Sequence, residues 1–176
     1  MDKQSYEQLI ELAREQELKK SQLIKRAIHE WMVFKREVLE ENLIVIGKPL
    51  FRKLLDSIND EIISKLANFS AKNLELLLKF KIIEHDEKIN LERFLESLMK
   101  AFGPSGYSWF TKIDYQVVDN NKIIIYGSHS INERFSLYIK ILLKNIMKNL
   151  FKYEIDEENS SFSHNNIDFL FRPNSS

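Results

Sequence analysis

Residues 122–126, Lys-Ile-Ile-Ile-Tyr, are followed after Gly127-Ser128-His129 by Ser130-Ile131-Asn132-Glu133. After Gly106 the helical period gives way to strand runs, and at this junction a helical period of about 3.6 returns. The first run predicts a strand. Residues 109–118 predict a second, and Asp119-Asn120-Asn121 between them is a hairpin turn of residue types that tolerate positive φ. Ser130-Ile131-Asn132-Glu133 reads as a capping box, Ser130 and Glu133 each bonding an amide of the other's end. It opens a helix whose apolar face is Phe135, Leu137, Tyr138, Ile141, Leu142 and Ile146. Residues 151–155 and 167–171 predict two further strands around a polar loop, and residues 172–176 a loose tail. The order β-β-α-β-β is that of a small antiparallel sheet with one long packed helix.

Towards the N-terminus the pattern is helical. Phe102-Gly103-Pro104-Ser105-Gly106 stops a helix that Asn90 caps and that carries Leu91, Phe94, Leu95 and Leu98. Its glycine spacing is wrong for a phosphate-binding loop, and no Lys-Ser/Thr follows, so it reads as a hinge. Residues 59–69 and 70–80 predict two short helices, with Ser70 as the cap of the second. Lys48-Pro49 opens another, with Leu50, Phe51, Leu54 and Leu55 on its apolar face. Residues 42–47 are a β-branched run, a strand or an extended linker. The expected fold is therefore α+β: an N-terminal helical hairpin (residues 1–41), a mainly helical segment (42–102) and an α+β part (103–176).

The hairpin carries the strongest functional pointer. Tyr6, Leu9, Ile10, Leu12 and Ala13 recur at helical spacing. The pattern breaks at Glu17-Leu18-Lys19-Lys20, and Ser21 reads as the N-cap of a second helix. That helix presents Leu23, Ile24, Ala27, Ile28 and Trp31 on a face too wide for one partner helix, and its pattern continues through Phe34 and Val38. A second copy of the chain is the natural source of the missing cover. Lys19 and Lys20 stand at the start of this helix, whose unpaired amides and positive dipole end favour an anion.

Leu9-Ile10-Glu11-Leu12-Ala13-Arg14-Glu15, followed by Leu18-Lys19-Lys20-Ser21-Gln22-Leu23-Ile24-Lys25-Arg26-Ala27-Ile28, resembles the helix pair of ribbon-helix-helix transcriptional regulators. The resemblance covers roughly a sixth of the chain. It implies a homodimer in which Lys19, Lys20 and Ser21 grip a phosphate of double-stranded DNA, with Lys25 and Arg26 adding positive field. In the family, a strand before the first helix forms the ribbon that reads base edges. Residues 1–4 have neither the length nor the alternation of that strand, and Glu17 stands where family members often carry Gly. Three arrangements fit: a start that lies upstream, a second helix that docks as the recognition element, or a pair that only dimerises. The architecture after residue 103 is similar to sensor or oligomerisation domains attached to archaeal regulators.

Composition bounds these readings. Twenty-six basic and 26 acidic side chains give a formal net charge of zero, which argues against an extended nucleic-acid surface. The chain contains no cysteine, hence no thiolate metal site and no thiol nucleophile. Its apolar runs fall far short of the ~20 residues of a membrane span, and its polar start resembles no signal peptide, so a cytoplasmic location is expected. Glu84-His85-Asp86-Glu87 is a solvated turn rather than a metal site, since adjacent residues rarely converge on one ion. No cofactor is expected. Nor is an enzyme, because no Ser/His/Asp set or carboxylate pair has supporting context.

A small-molecule site, if present, would involve His129 and Arg134 at the strand-to-helix junction with Trp109 and Tyr126 from the sheet. The bland alternative makes these residues caps and core. The leading expectation is a dimeric DNA-binding regulator with a C-terminal sensing or assembly part. The rival is a dimeric interaction or ligand-binding protein that leaves DNA alone.

Overall fold

The computed structural model describes residues 2–31, 46–85, 90–104 and 106–174. The chain divides into two compact units, Met1–Val45 and Ile46–Ser176. The predicted run at 42–47 and the extension of the second helix through Phe34 and Val38 lie largely outside the described residues, as do Asp86 and Glu87.

The first unit is a helical hairpin. Helix α1 (Lys3–Glu15) starts at Asp2, whose carboxylate accepts the Ser5 amide at 2.8 Å. That bond holds the Asp2 carboxyl below its usual range. At the other end Leu18 N–H reaches the Ala13 carbonyl (2.9 Å) and Glu17 N–H the Arg14 carbonyl (3.1 Å). This is a Schellman closure, and it forces Glu17 to φ 54°. Helix α2 (Lys20–Glu30) then begins earlier than Ser21: Lys19 is its cap residue, and the Gln22 side chain reaches back to the Lys19 amide at 2.9 Å. Ser21 sits inside the first turn, because the closure leaves only two extended residues before the chain turns helical again. Ala13 and Leu23 are the buried contacts of the pair.

The left-handed backbone at Glu17 is a site where glycine is favoured. Glu17→Gly is expected to stabilise this unit by about 1 kcal/mol, read as a higher denaturation midpoint. A lower midpoint would contradict the closure.

The second unit is α+β. Helix α3 (Lys48–Asp56) is capped by Gly47 and carries Pro in its first turn. Helix α4 (Asp60–His85) starts from Asn59, whose side-chain oxygen accepts the Ile62 amide at 2.9 Å. It runs 26 residues without interruption. Ser70 is therefore not a cap. The segment around it contains neither Gly nor Pro, so nothing stops the hydrogen-bond ladder, and Ile63, Ala67 and Ala71 continue one buried stripe through it. His85, expected in a polar turn, closes this helix. Helix α5 (Leu91–Phe102) starts at Asn90, which accepts from the Glu92 amide at 2.8 Å.

Strands β1 (Lys112–Val118) and β2 (Lys122–Ser128) form the hairpin, Asn121 taking φ 58° in its turn. Helix α6 (Glu133–Ile146) is capped by Asn132, not Ser130, with the Asn132 side chain accepting the Phe135 amide at 3.0 Å. Glu133 is thus the first helical residue rather than the capping-box acid. A π-helical turn (Met147–Phe151) extends α6 to β3 (Tyr153–Ile155). Strand β4 (Ser161–Phe162) lies in the loop expected to be polar and irregular, and β5 (Asn166–Pro173) takes up Arg172 and Pro173 from the expected tail.

The antiparallel sheet has the order β1-β2-β5-β3, with β4 also on β5. Ile123, Ile125, Ile167, Phe169 and Phe171 face one side and are buried with Phe135, Ile139, Leu142, Leu143 and Ile146 of α6. Leu55, Ile63, Phe94, Leu95 and Leu98 belong to the same core, so the helices from residue 48 onward and the sheet are one packed body. Gly127 admits no side chain: a Cβ there would lie 2.9 Å from both the Lys112 carbonyl and the Phe110 ring. Among the described residues no helix is long and apolar enough to cross a membrane.

Candidate functional site

Two places gather the polar residues singled out by the sequence: the start of α2 and the junction between β2 and α6.

At the start of α2, Lys19, Lys20, Ser21, Lys25 and Arg26 are all exposed. The Lys20 ammonium donates to the Tyr6 hydroxyl at 2.7 Å and lies over that ring, 4.9 Å from its centre. The Arg26 guanidinium donates to the Gln16 side chain at 3.3 Å. Ile24, Ile28 and Trp31 are all exposed on one face of α2; helical geometry puts Arg26 on the opposite side, and Lys25 beside Ile28 at the edge of the stripe. The unit therefore carries an uncovered apolar stripe on α2 with basic side chains around it.

The β2–α6 junction is a buried polar knot. His129 is 3% exposed, edge-on to Phe110 and Phe135 with ring centres at 5.5 and 4.9 Å. Its Nδ1 accepts the Ile131 amide at 3.3 Å. In the neutral ring the proton is then on Nε2, which donates to Ser136 Oγ at 2.7 Å. Ser136 in turn donates to the Ser163 carbonyl at 2.7 Å. Burial, reinforced by the positive fields of His164 and Lys48, pushes the His129 pKa down to about 4, so the ring is neutral at pH 7.

This proton order is the reverse of a serine nucleophile and its base. A base must accept from the hydroxyl, whereas here the imidazole donates and the hydroxyl is spent on a backbone carbonyl. The serine is also fully buried.

Arg134 is equally committed. Its guanidinium donates to the carbonyls of Leu55 (2.9 Å), Asp56 (2.8 Å) and Ile58, the end of α3, and lies 3.7 Å from the Asp60 carboxylate. A cation there answers the negative end of the helix dipole as well as the unpaired carbonyls. Asn132 donates to the Asp56 carboxylate at 2.7 Å, and Arg52 donates to the Ser130 carbonyl. These bonds strap α3 to the start of α6.

Of the four residues expected to form a ligand site, the structure brings only His129 and Trp109 around one ring, that of Phe135. Trp109 stacks on Phe102 (4.7 Å) and meets Phe135 edge-on (5.8 Å), on the α6 side of the sheet. Tyr126 pairs with Asp114 and Asp168 and alternates with the buried Ile125, which puts it on the opposite face. Arg134 lines a shallow groove of about 300 Å³ with Asp60, Glu133, Leu137 and Phe162, apart from the other three. Among the described residues no group of three or more His, Asp and Glu side chains is arranged to hold a metal ion.

Sequence reading missed Arg52, Asp56 and Ser136. Ser136 was detectable as the one serine within the apolar stripe of α6. The other two had no linear signal, being 78 and 76 residues from their partners. No protein-family model, no characterised protein and no solved structure matches the chain.

Proposed function

We propose that the chain is a dimeric DNA-binding regulator of the ribbon-helix-helix kind, whose second unit serves assembly. The observation that carries this reading is the layout of α2. Exposed Lys19 and Lys20 stand at its positive dipole end, exposed Lys25 and Arg26 follow within the next turn, and Ile24, Ile28 and Trp31 are left exposed for a second copy. Dimerisation doubles the basic corner, which is how a chain of zero net charge presents a local positive field to a phosphate backbone. Assembly is preferred to ligand sensing for the second unit because His129, Arg134 and Trp109 have internal partners.

A specific contact favours the rival, in which the pair only dimerises: the Lys20 ammonium already has the Tyr6 hydroxyl. Binding of duplex DNA by the full chain, compared with Lys19→Ala/Lys20→Ala and with Ile28→Glu, separates the two. The regulator reading expects the double alanine variant to remain dimeric and lose about tenfold or more in affinity, and Ile28→Glu to lose dimer and DNA together. Equal affinities for wild type and the double alanine variant would remove the basic corner from the mechanism.

A further inference from the structure

Helix α4 carries two apolar faces. One, with Ile63, Ala67 and Ala71, is buried in the core. The other is exposed: Ile62 at 41%, Leu66 at 46%, Phe69 at 65% and Leu76 at 45%. With the exposed Asn73 between Phe69 and Leu76, the steps along this face are four, three, four and three residues. The sequence keeps the same steps at Phe80 and Ile83. That is the spacing of a coiled-coil seam, with Leu66 and Asn73 at successive a positions and Ile62, Phe69 and Leu76 at d.

We propose that this face pairs with the same face of a second copy as a parallel, in-register two-helix seam. Three features choose that occupant. A lone Asn at an a position is satisfied by its own counterpart only when equivalent layers meet, as they do in parallel register. Lys65 and Lys72, both exposed, occupy the g positions. Antiparallel overlap would set these like charges against each other, whereas parallel overlap sets Lys65 opposite Ser70, which is uncharged. The described part of the seam spans about 21 Å at 1.5 Å per residue. That is short beside interfaces burying about 1,200–2,000 Å², so a weak, concentration-dependent association is expected. The proposal gives a surface to the assembly role argued above and rests on that part of the reading, not on DNA binding.

The chain has no cysteine, so a single introduced thiol reports pairing without background. Under mild oxidation the full-length Asn73→Cys variant is expected to form a disulfide-linked dimer, roughly tenfold or more faster than Glu61→Cys, whose site is also exposed. Adding Leu66→Glu is expected to suppress the link, while adding Ile28→Glu leaves it unchanged, which separates this seam from the α2 stripe. Asn73→Cys linking no faster than Glu61→Cys would overturn the proposal and assign the face to another occupant. Linking that survives Leu66→Glu would overturn it as well.

Discussion

Phe135→Ala is expected to destabilise the second unit by about 4 kcal/mol, near the upper end for truncation of a buried aromatic. Phe135 is fully buried, and its ring meets Phe51 (6.2 Å), Trp109 (5.8 Å), Phe110 (5.6 Å), His129 (4.9 Å) and Tyr138 (6.4 Å). Removing it opens a cavity among groups anchored on different elements: α3, the segment before β1, the β2–α6 junction and α6 itself. They cannot close on it together, so the cost includes the void as well as the lost transfer energy. Edge-on ring pairs add about 0.5–1.5 kcal/mol each beyond area, and Leu restores volume without them. Phe135→Leu should therefore fall between wild type and Ala. Urea unfolding monitored by Trp fluorescence measures this, with the midpoint lowered and the slope preserved. A loss under about 1 kcal/mol for Phe135→Ala would show that this aromatic centre is not what holds the unit together.

The second large effect is a pH dependence set by His129. The unfolded chain protonates this ring near the ordinary value of 6.5, whereas the folded protein resists until about pH 4. Between those limits the unfolded state binds the extra proton, so stability rises with pH across the window and is complete above about 6.5. Acidification from pH 6.5 towards 4 is expected to remove up to about 3 kcal/mol through this residue. His129→Gln retains one acceptor for the Ile131 amide and one donor for Ser136 but does not titrate. Its stability curve should be flatter than wild type between pH 6.5 and 4.5, so the variant gains on wild type by up to about 3 kcal/mol as pH falls towards 4. A His129 ring that titrates near pH 6.5 in the folded protein by NMR would contradict the buried knot. Asp156 behaves in the opposite sense. Burial raises its pKa, but the Asn159 bond and the Arg172 charge outweigh that and leave it below the usual carboxylate range.

The strands were legible as β-branched and aromatic runs, but the face each residue takes was not: Ile123-Ile124-Ile125-Tyr126 is apolar throughout, and only the folded sheet turns Ile123 and Ile125 to the core. The turn at Asn121 was legible from residue type. Start points of helices were read less well, for a local reason. Ser130 and Asn132 are both good caps in one short stretch, and the choice falls to Asn132 because its side chain also reaches Asp56, 76 residues away. Ser70 misled in the same way: a residue that favours caps sits within a ladder that tertiary burial of Ala67 and Ala71 keeps intact.

The candidate site was legible only as residue types. His129 and Arg134 were singled out as polar groups at a junction. Nothing in their neighbours along the chain indicates that Ser163 or the end of α3 consumes their bonding capacity. For the same reason the Lys20–Tyr6 bond, between residues on different helices, was invisible before the pair was folded.

The proposed regulator depends on the α1–α2 unit, doubled in a dimer, holding a phosphate backbone through Lys19, Lys20 and the start of α2. The most direct measurement is the affinity of the full chain for duplex DNA across a series of salt concentrations. Log affinity is predicted to fall linearly with log salt, with a slope that Lys19→Ala/Lys20→Ala reduces by roughly 1 for each phosphate left without its lysine. No retention of duplex DNA at the lowest salt, by a chain verified to be dimeric, would contradict it.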